Sequence, residues 1–345
     1  MIQNVQKVDP KKIASGMANV IKLTYPKNKD RAIIVLEKEK LPLGEMIQNG
    51  VQEKGAKAKI MVIDDYLVNQ SSKKPEKALR EIRKFEPTLT YFLGDLKERV
   101  PGFSGPVINE LLNLGTRYAS MLTFNDVIAG SEAMNADYDK VYERTHQVKE
   151  IVKNARIINV TNSNHTDMVV TLNPERLGWV ASDGRIIRHG FPMNIPNGEV
   201  YGVPKSVEGI FTTTLLGANF TAKYGPLYDR PVTIELEKGY AVNVVCSDKE
   251  LQKEFFGFIK RGRNTDRVGE FAIGTNENIT RLIGYMLADE KALGVHIALG
   301  RPFKKSFKKG TPWKVKPDQH CDAIQQGSTV LVDGLMIMKD GKFII

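Results

Sequence analysis

The sequence predicts an α/β fold in which an N-terminal domain with an open α/β sheet precedes a C-terminal α+β domain with mainly antiparallel strands. Short apolar runs alternate with helical patterns in the first part of the chain, which is typical of parallel strands joined by crossover helices. After Arg156 the pattern changes to alternating strands separated by many glycine turns. A chain of 345 residues has room for two hydrophobic cores. We therefore expect residues 1–150 to form the first domain and residues 151–345 the second.

The elements of the first domain follow from local patterns. The apolar run at residues 32–36 is typical of a buried strand, and the helical spacing of residues 44–55 ends at a glycine. A dense mixture of charges over residues 71–85 predicts a loop followed by an exposed helix. Further strands are predicted at residues 59–63 and 88–93, and a long charged helix at residues 135–153.

Two turn signals predict hairpins in the second domain. Ser182-Asp183-Gly184 and Lys339-Asp340-Gly341 each place a glycine where a tight turn needs a positive φ, and each precedes a pattern suited to a returning strand.

Composition limits the classes of protein that remain. Cys246 and Cys321 are too few to frame a fold of this length, and we expect them to stay free in a reducing compartment, which favours the cytoplasm. The first twelve residues have no apolar core of the kind that a signal peptide needs, and the apolar runs are too short to cross a bilayer, so we expect no membrane partner. The formal charge of +10 could attract nucleic acid or acidic peptides.

Several familiar catalytic motifs are missing from the sequence. It has no GxxxxGK[ST] phosphate loop, no GxGxxG after a strand, no HExxH and no GxSxG elbow, which argues against nucleotide-binding and serine-hydrolase functions. The two cysteines also lack CxxC spacing, so a metal would have to be held by histidines and carboxylates.

Such residues gather in the second domain. His320 and Asp322 are two residues apart, and on a strand this spacing points both side chains to the same face, although an isolated pair of this kind is more often a surface feature. Glu199 and Glu270 each follow a glycine and precede apolar residues, which suggests carboxylates carried toward the interior. Together with Asp289, Glu290 and His296, they form a set suited to two divalent ions with mixed carboxylate and imidazole ligands.

Four ordered motifs resemble the aminopeptidase T and aminopeptidase S family of dinuclear, leucyl aminopeptidase-like metallo-aminopeptidases. They are NIPNGEVYGVP at residues 194–204, DRVGEFAIGTN at 266–276, DEKALGVHIALG at 289–300 and HCDAIQQGSTVLVDG at 320–334. The resemblance implies a homodimeric exopeptidase whose second domain is catalytic, whose cofactor is a pair of divalent metal ions (zinc, cobalt or manganese), and whose substrates are peptides. The metal ligands that it implies are Glu199, Glu270, Glu290, His296, His320 and Asp322.

Within this set Glu270 is the expected bridge between the two ions and also the catalytic residue. It would take the proton from the attacking water and deliver it to the leaving amine. Glu290 matches the family only if one extra residue is allowed between it and His296. Two further positions depart from the family: Phe303 stands where a tyrosine is usual, and His165 precedes Thr166-Asp167 where glycine is frequent. His165 is either a substitute ligand or a structural histidine, and Tyr201 is one tyrosine that could replace the missing hydroxyl.

Two other functions stay open at this point. His296, His320 and Asp322 also form the ligand set of a mononuclear non-haem iron dioxygenase, and the same fold family includes a dioxygenase that acts on a dihydroxypyridine. The second alternative is a catalytically inactive basic binding protein. Its contact surface would be Lys304, Lys305, Lys308, Lys309, Lys314 and Lys316 with Phe307 and Trp313. These aromatic residues are too few to favour nucleic acid as a partner.

Overall fold

A computed structural model describes residues 8–66, 75–94, 103–303, 306–308, 317 and 319–345. The chain divides into two compact units, one comprising Met1–Tyr138 and Gly184–Asn197, the other Asp139–Asp183 and Gly198–Ile345. The segment Gly184–Asn197 thus belongs to the first unit, although in the chain it lies between the two parts of the second. The domain boundary near residue 150 stays a prediction.

The first unit is built on a five-stranded parallel sheet. Its strand order is β2-β1-β3-β4-β8, and every neighbouring pair is parallel. The strands are β1 (Arg31–Leu36), β2 (Lys57–Val62), β3 (Leu89–Phe92), β4 (Arg117–Ser120) and β8 (Pro192–Asn194); the helices are α1 (Pro10–Thr24), α2 (Leu41–Glu53), α3 (Glu76–Phe85), α4 (Ser104–Asn113) and α5 (Asp126–Ala129).

The apolar run of β1 explains its central position. Residues 32–36 are all fully buried, as expected for a parallel strand covered on both faces. Ile33 and Val35 pack into one cluster with Ile82 of α3 and Val107 of α4. Beside this sheet, the buried Asp30 carboxylate accepts a hydrogen bond from Arg117 Nη2 at 2.6 Å. The predicted α/β sheet is therefore confirmed.

The second unit contains two sheets with antiparallel pairing. The larger has the order β13-β12-β10-β6-β5-β17-β18-β19 and the smaller β11-β16-β15-β14-β9-β7. The strands are β5 (Ile157–Thr161), β6 (Asp167–Thr171), β7 (Trp179–Ser182), β9 (Glu199–Gly202), β10 (Ser206–Thr213), β11 (Leu215–Leu216), β12 (Val232–Glu237), β13 (Tyr240–Val245), β14 (Val268–Gly274), β15 (Gly294–Gly300), β16 (His320–Gln326), β17 (Thr329–Val332), β18 (Leu335–Lys339) and β19 (Lys342–Phe343); the helices are α6 (Tyr138–Val152, whose first residue belongs to the first unit), α7 (Ala218–Tyr224), α8 (Lys249–Ile259) and α9 (Met286–Asp289).

One core joins the two sheets of the second unit. Phe271 on β14, Ile297 on β15 and Cys321 on β16 are buried in the same cluster as Val170 and Ile234 of the larger sheet. These strands alternate in the direction of their side chains. Residues next to the core-facing positions on β14, β15 and β16 therefore lie on the other face of the smaller sheet.

The two hairpin predictions have different outcomes. Asp340 and Gly341 have φ values of 48° and 76° and connect β18 to β19, as predicted. The hairpin predicted at Ser182-Asp183-Gly184 is wrong, because β7 pairs with β9 and the chain between them contributes β8 to the sheet of the first unit. Gly184 does have a positive φ of 89°, so the local turn geometry was right although the strand partner was not.

Both cysteines are buried, and neither forms a disulfide. Among the described residues, no helix combines the length and the apolar content that crossing a bilayer would require.

Candidate metal centre

Five of the six predicted ligands lie on the face of the smaller sheet that points away from the core cluster; the sixth, Glu290, follows α9. Residues that pair directly across an antiparallel ladder point to the same face. Glu270 of β14 pairs with Ala298 of β15, which pairs in turn with Asp322 of β16. His296 pairs with Ala272 by the same register. The small side chains of the two alanines leave room above this face for the carboxylates and imidazoles.

The edges of this group are completed by neighbouring pairs. His320 at the start of β16 lies opposite Gly300, and Glu199 at the start of β9 lies opposite Gly274. The sequence prediction that His320 and Asp322 share one face of a strand agrees with this register. Cys321, between them, is 3% exposed and belongs to the core cluster, as strand alternation predicts.

Glycines before the two glutamates allow the close backbone approach that their positions require. Gly198 has a φ of 124°, and a Cβ there would lie 2.8 Å from Cβ of Asn276. Gly269 lies at the register shift between Val268 and Glu270, and a Cβ there would lie 2.4 Å from the carbonyl oxygen of Gly300. A β-bulge of this kind redirects the following side chain. The expected role of these glycines is confirmed.

Several of these donor atoms lie within a few ångströms of one another. His296 Nε2 lies 3.5 Å from Glu270 Oε1 and 3.6 Å from Glu199 Oε2, and His320 Nε2 lies 3.3 Å from Asp322 Oδ1. One donor atom each from Glu270, His320 and Asp322 lies within 4.8 Å of the others. Tetrahedral zinc ligands at bond lengths of about 2.0–2.2 Å are separated by about 3.3–3.6 Å.

Three of these buried atoms have no hydrogen-bond partner. They are Glu199 Oε2, His296 Nε2 and Asp322 Oδ1. Leaving a buried polar atom without a partner costs about 1–3 kcal/mol, and more for a charged group. Three such atoms on one face of one sheet are explained together if a cation completes their coordination. The described residues therefore fit a divalent metal ion.

The orientation of His320 also suits a metal ligand. Its Nδ1 lies 2.9 Å from the carbonyl oxygen of Arg301, which can only accept, so Nδ1 carries the hydrogen and donates it. Nε2 is then left to face Asp322, as in metal sites where a second contact fixes the imidazole tautomer. The side chain is 28% exposed and is thus the most accessible of the group.

Without a metal, the charges of the group interact strongly. Burial alone would lower the pKa of His320, but the Asp322 carboxylate outweighs this effect and raises that pKa to about 10. Burial would raise the pKa of Asp322, but the His320 imidazolium outweighs it and lowers that pKa to about 2. The pKa of His296 is raised because contacts with Glu270 and Glu199 exceed the opposing effect of burial.

Glu290 and Glu199 both have the same lysine, Lys291, as a charge partner. Glu290 lies directly after α9, and its Oε1 is 2.5 Å from Nζ of Lys291. The same ammonium group donates to Glu199 Oε1. Burial raises the pKa of Glu290 to about 7, with the Lys291 charge opposing the shift. Burial would lower the pKa of Lys291, but the two carboxylates outweigh it and raise that pKa, so Lys291 stays an ammonium ion.

Sequence reasoning missed Lys291 altogether. Its side chain is 0% exposed, which is rare for a lysine that is not paired. The available signal was the extra residue between Glu290 and His296. Asp289, the neighbour on the other side of Glu290, accepts backbone hydrogen bonds from Ile283, Gly284 and Tyr285 and so fixes the loop before α9.

Of the remaining predicted positions, one shares the face of this group, and the others lie elsewhere or outside the described residues. His165 is exposed in the turn between β5 and β6, with a φ of 67°. Tyr201 of β9 points to the same face as His296, since both pair with Ala272, and its ring meets that of Phe303 at 5.3 Å between centroids. Most of the basic segment that an inactive binding protein would use (Lys304, Lys305, Lys309, Trp313, Lys314 and Lys316) falls outside the described residues.

Comparison with solved structures finds the same fold in two enzymes. The chain superposes on 2,5-dihydroxypyridine dioxygenase from Pseudomonas putida KT2440 with a TM-score of 0.70 and 15% identity, covering 98% of both chains. It superposes on wild-type AmpT from Thermus thermophilus with a TM-score of 0.69 and 15% identity, covering 97% of this chain and 100% of the other. At this level of identity the likeness shows the fold alone.

The family is shown by the sequence itself. A search of curated proteins gives no match. A family model described as thermophilic metalloprotease (M29) matches residues 119–343, a span that contains every predicted metal ligand. The model covers well over half of the 345 residues. The chain therefore belongs to the M29 family of metalloproteases and is a metal-dependent peptidase.

Proposed function

We propose that this protein is an aminopeptidase that removes N-terminal residues from peptides by metal-assisted attack of water. The observation that carries the proposal is the group formed by Glu270, His296, His320 and Asp322, with buried donor atoms that lack partners. Zinc, cobalt or manganese bound there would polarise the scissile carbonyl and lower the pKa of an attacking water. The resemblance to aminopeptidases T and S, together with the M29 family, supports peptides as substrates.

Different residues of the site would bind the metal ion and transfer the proton. Asp322, His296 and His320 would hold the ion, with His320 kept in its tautomer by Arg301. Glu270 would accept a proton from the water and donate it to the leaving amine. Its position suits this role, because Oε1 lies 3.5 Å from His296 Nε2 and the side chain keeps 11% of its surface exposed. Glu199 would contribute Oε2, the oxygen that does not face Lys291.

Because Phe303 stands where the family usually has a tyrosine, the motif does not identify a hydrogen-bond donor to the developing oxyanion. A phenyl ring cannot donate a hydrogen bond, so another group would have to stabilise the transition state. Tyr201 is our proposed substitute, because it shares the face of the site and its ring packs on Phe303. Tyr201→Phe is expected to lower kcat more than KM, whereas a packing role alone would leave kcat unchanged.

The proposal is tested with pairs of substrates that differ only at the N-terminus. Protein purified without chelator is assayed on a panel of tripeptides with free amines and on the same peptides N-acetylated, with and without added Zn²⁺, Co²⁺ or Mn²⁺. We expect metal-dependent release of the first residue from free peptides only. Asp322→Asn should abolish turnover, while Asp266→Asn, which alters an exposed ion pair with Lys260, should not. No turnover with any metal would refute the proposed function.

A mononuclear iron dioxygenase is the second candidate. Its support is that His296, His320 and Asp322 lie on one face of β15 and β16 and are the two-histidine, one-carboxylate set of non-haem iron oxygenases. A structural neighbour is also a dihydroxypyridine dioxygenase. Iron as the bound metal, together with oxygen uptake on adding 2,5-dihydroxypyridine, would favour this function over peptide hydrolysis.

We also propose a cytoplasmic location and a homodimer; the homodimer is tested by light scattering coupled to gel filtration.

A further inference from the structure

Lys291 occupies the space between two carboxylates that the family resemblance assigns to metal. Its Nζ contacts Oε1 of Glu199 and lies 2.5 Å from Oε1 of Glu290, and no part of its side chain reaches solvent. A dinuclear centre needs such carboxylates to neutralise a second ion. In this chain an ammonium group already supplies one positive charge between these two carboxylates.

The backbone on both sides keeps Lys291 in place. Its N–H donates to the carbonyl of Ala288 at 3.2 Å, and its carbonyl accepts from the N–H of Asn276 at 3.1 Å. The chain passes so close to Gly274 that a Cβ there would lie 1.8 Å from the carbonyl oxygen of Ala292. The side chain therefore begins at a fixed point inside the site, and an ion entering between Glu199 and Glu290 would have to displace a buried charge that has no route to water.

The remaining metal ligands can hold one ion without the space that Lys291 occupies. Glu199 offers its second oxygen, Oε2, which is buried and has no hydrogen-bond partner, 3.6 Å from His296 Nε2. Glu270, His320 and Asp322 supply donor atoms within 4.8 Å of one another. Within this group of ligands, the buried atoms without a hydrogen-bond partner are Glu199 Oε2, His296 Nε2 and Asp322 Oδ1. Lys291 donates instead to the other oxygen of Glu199.

We infer that the Lys291 ammonium is a built-in cation that takes the place of a second metal ion, so that the centre binds one divalent ion per chain. In this arrangement Glu290 is a partner of Lys291 rather than a metal ligand. The inference rests on the proposed metal-dependent function and refines it: one ion and one fixed ammonium would share the carboxylates that the resemblance assigns to two ions.

Metal stoichiometry tests this directly, in the absence of substrate. The full chain is stripped with chelator, titrated with Co²⁺ by calorimetry and by visible absorption, and analysed for bound metal by mass spectrometry after dialysis. We expect one equivalent per chain. Two equivalents, or none, would overturn the inference.

Variants identify the role of Lys291 itself. Lys291→Met removes the charge and shortens the unbranched side chain by one atom, and it is expected to raise the stoichiometry to two. Lys291→Arg keeps the charge and should retain one, as should Lys260→Met, which removes an exposed lysine paired with Asp266. Circular dichroism establishes that each variant is folded. A folded Lys291→Met protein that still binds one equivalent would show that Lys291 does not exclude a second ion.

Glu290→Gln gives an independent measurement if Lys291→Met does not fold. A two-ion centre would fall from two equivalents to one, whereas we expect one equivalent both before and after this change. The outcomes also separate the inference from the proposed function. One equivalent without peptidase activity would leave the inference standing and refute the function, and two equivalents with activity would do the reverse.

Discussion

Replacing Glu270 by glutamine tests the proposed proton transfer with the smallest possible change. The amide has the size of the carboxylate but cannot accept a proton near neutral pH. Glu270 Oε1 lies 3.5 Å from His296 Nε2, and the amide group of glutamine can occupy the same space, so we expect the sheet around β14 to keep its structure. The change therefore separates proton transfer from folding.

The expected magnitude follows from the role assigned to the carboxylate. A positioned general base contributes about 10²–10⁴-fold to a rate. At about 1.36 kcal/mol per factor of ten, Glu270→Gln should raise the activation barrier by about 2.7–5.5 kcal/mol. Because Glu270 is also a proposed ligand, metal affinity should fall as well, and kcat has to be measured at saturating metal.

The assay compares kcat for a tripeptide in the wild type, in Glu270→Gln and in a matched control. Glu254→Gln is the control, because Glu254 accepts hydrogen bonds from Lys223 and Tyr224 at 2.7 and 2.6 Å on α8 and is not part of the metal group. We expect the control to keep full activity. Full kcat in metal-saturated Glu270→Gln would show that another group, or the solvent, transfers the proton.

Three further predictions concern stability and the support of the site. Removing bound metal should lower Tm, since an ion at 100 times its Kd adds about 2.7 kcal/mol to the free energy of unfolding. For a unit of this size the expected decrease in Tm is about 5–10 °C, measured by differential scanning fluorimetry with and without chelator. Asp30→Asn should destabilise the protein by about 3–5 kcal/mol in urea unfolding because it leaves the buried Arg117 unpaired. Burial of Asp30 would raise its pKa, but its hydrogen bonds and the charge of Arg117 outweigh burial and hold that pKa below 3.8. The carboxylate therefore stabilises the folded state fully above pH 3.8 and loses this effect as the pH falls through the lower pKa of the folded state. The difference in stability between wild type and Asp30→Asn should shrink in acid, and a constant difference would contradict this account. Gly274→Ala should lower the free energy of unfolding by about 1–3 kcal/mol and weaken Co²⁺ binding, because its Cβ would meet the carbonyl oxygen of Ala292. The control Gly257→Ala on α8 has open space and should be neutral or stabilising. Equal Co²⁺ affinity in the two variants would contradict the proposed support of the site.

Much of the fold could be predicted because strands carry their environment in their pattern. The unbroken apolar run at residues 32–36 predicted a strand covered on both faces, and β1 is the second strand of a parallel sheet with every one of those residues buried. The alternation of His320, Cys321 and Asp322 predicted which side chains face the site and which enter the core. In both cases the information lies within a few consecutive residues.

Pairing between distant segments was not accessible in the same way. The Ser182-Asp183-Gly184 signal gave the correct local conformation, but β7 finds its partner in β9 only after the chain has added β8 to another sheet. Turn chemistry fixes φ and ψ of a few residues and says nothing about which strand comes next to the one that ends there. The hairpin predicted at Ser182-Asp183-Gly184 therefore had the wrong strand partner.

The same limit explains why the role of Lys291 could not be inferred from its sequence neighbours. In Asp289-Glu290-Lys291 three charges follow one another, a pattern that usually belongs to a solvated surface. Here each charge has a different fate, because Asp289 accepts three backbone N–H groups, Glu290 meets Lys291, and Lys291 reaches Glu199, which is 92 residues earlier in the chain. The one local clue was the extra residue between Glu290 and His296. The donor atoms of Glu270, His320 and Asp322 lie within 4.8 Å of one another on β14 and β16, and this part of the sheet supplies the place for one ion. Lys291 is fixed next to Glu199 in the loop before β15, and this loop supplies the second positive charge.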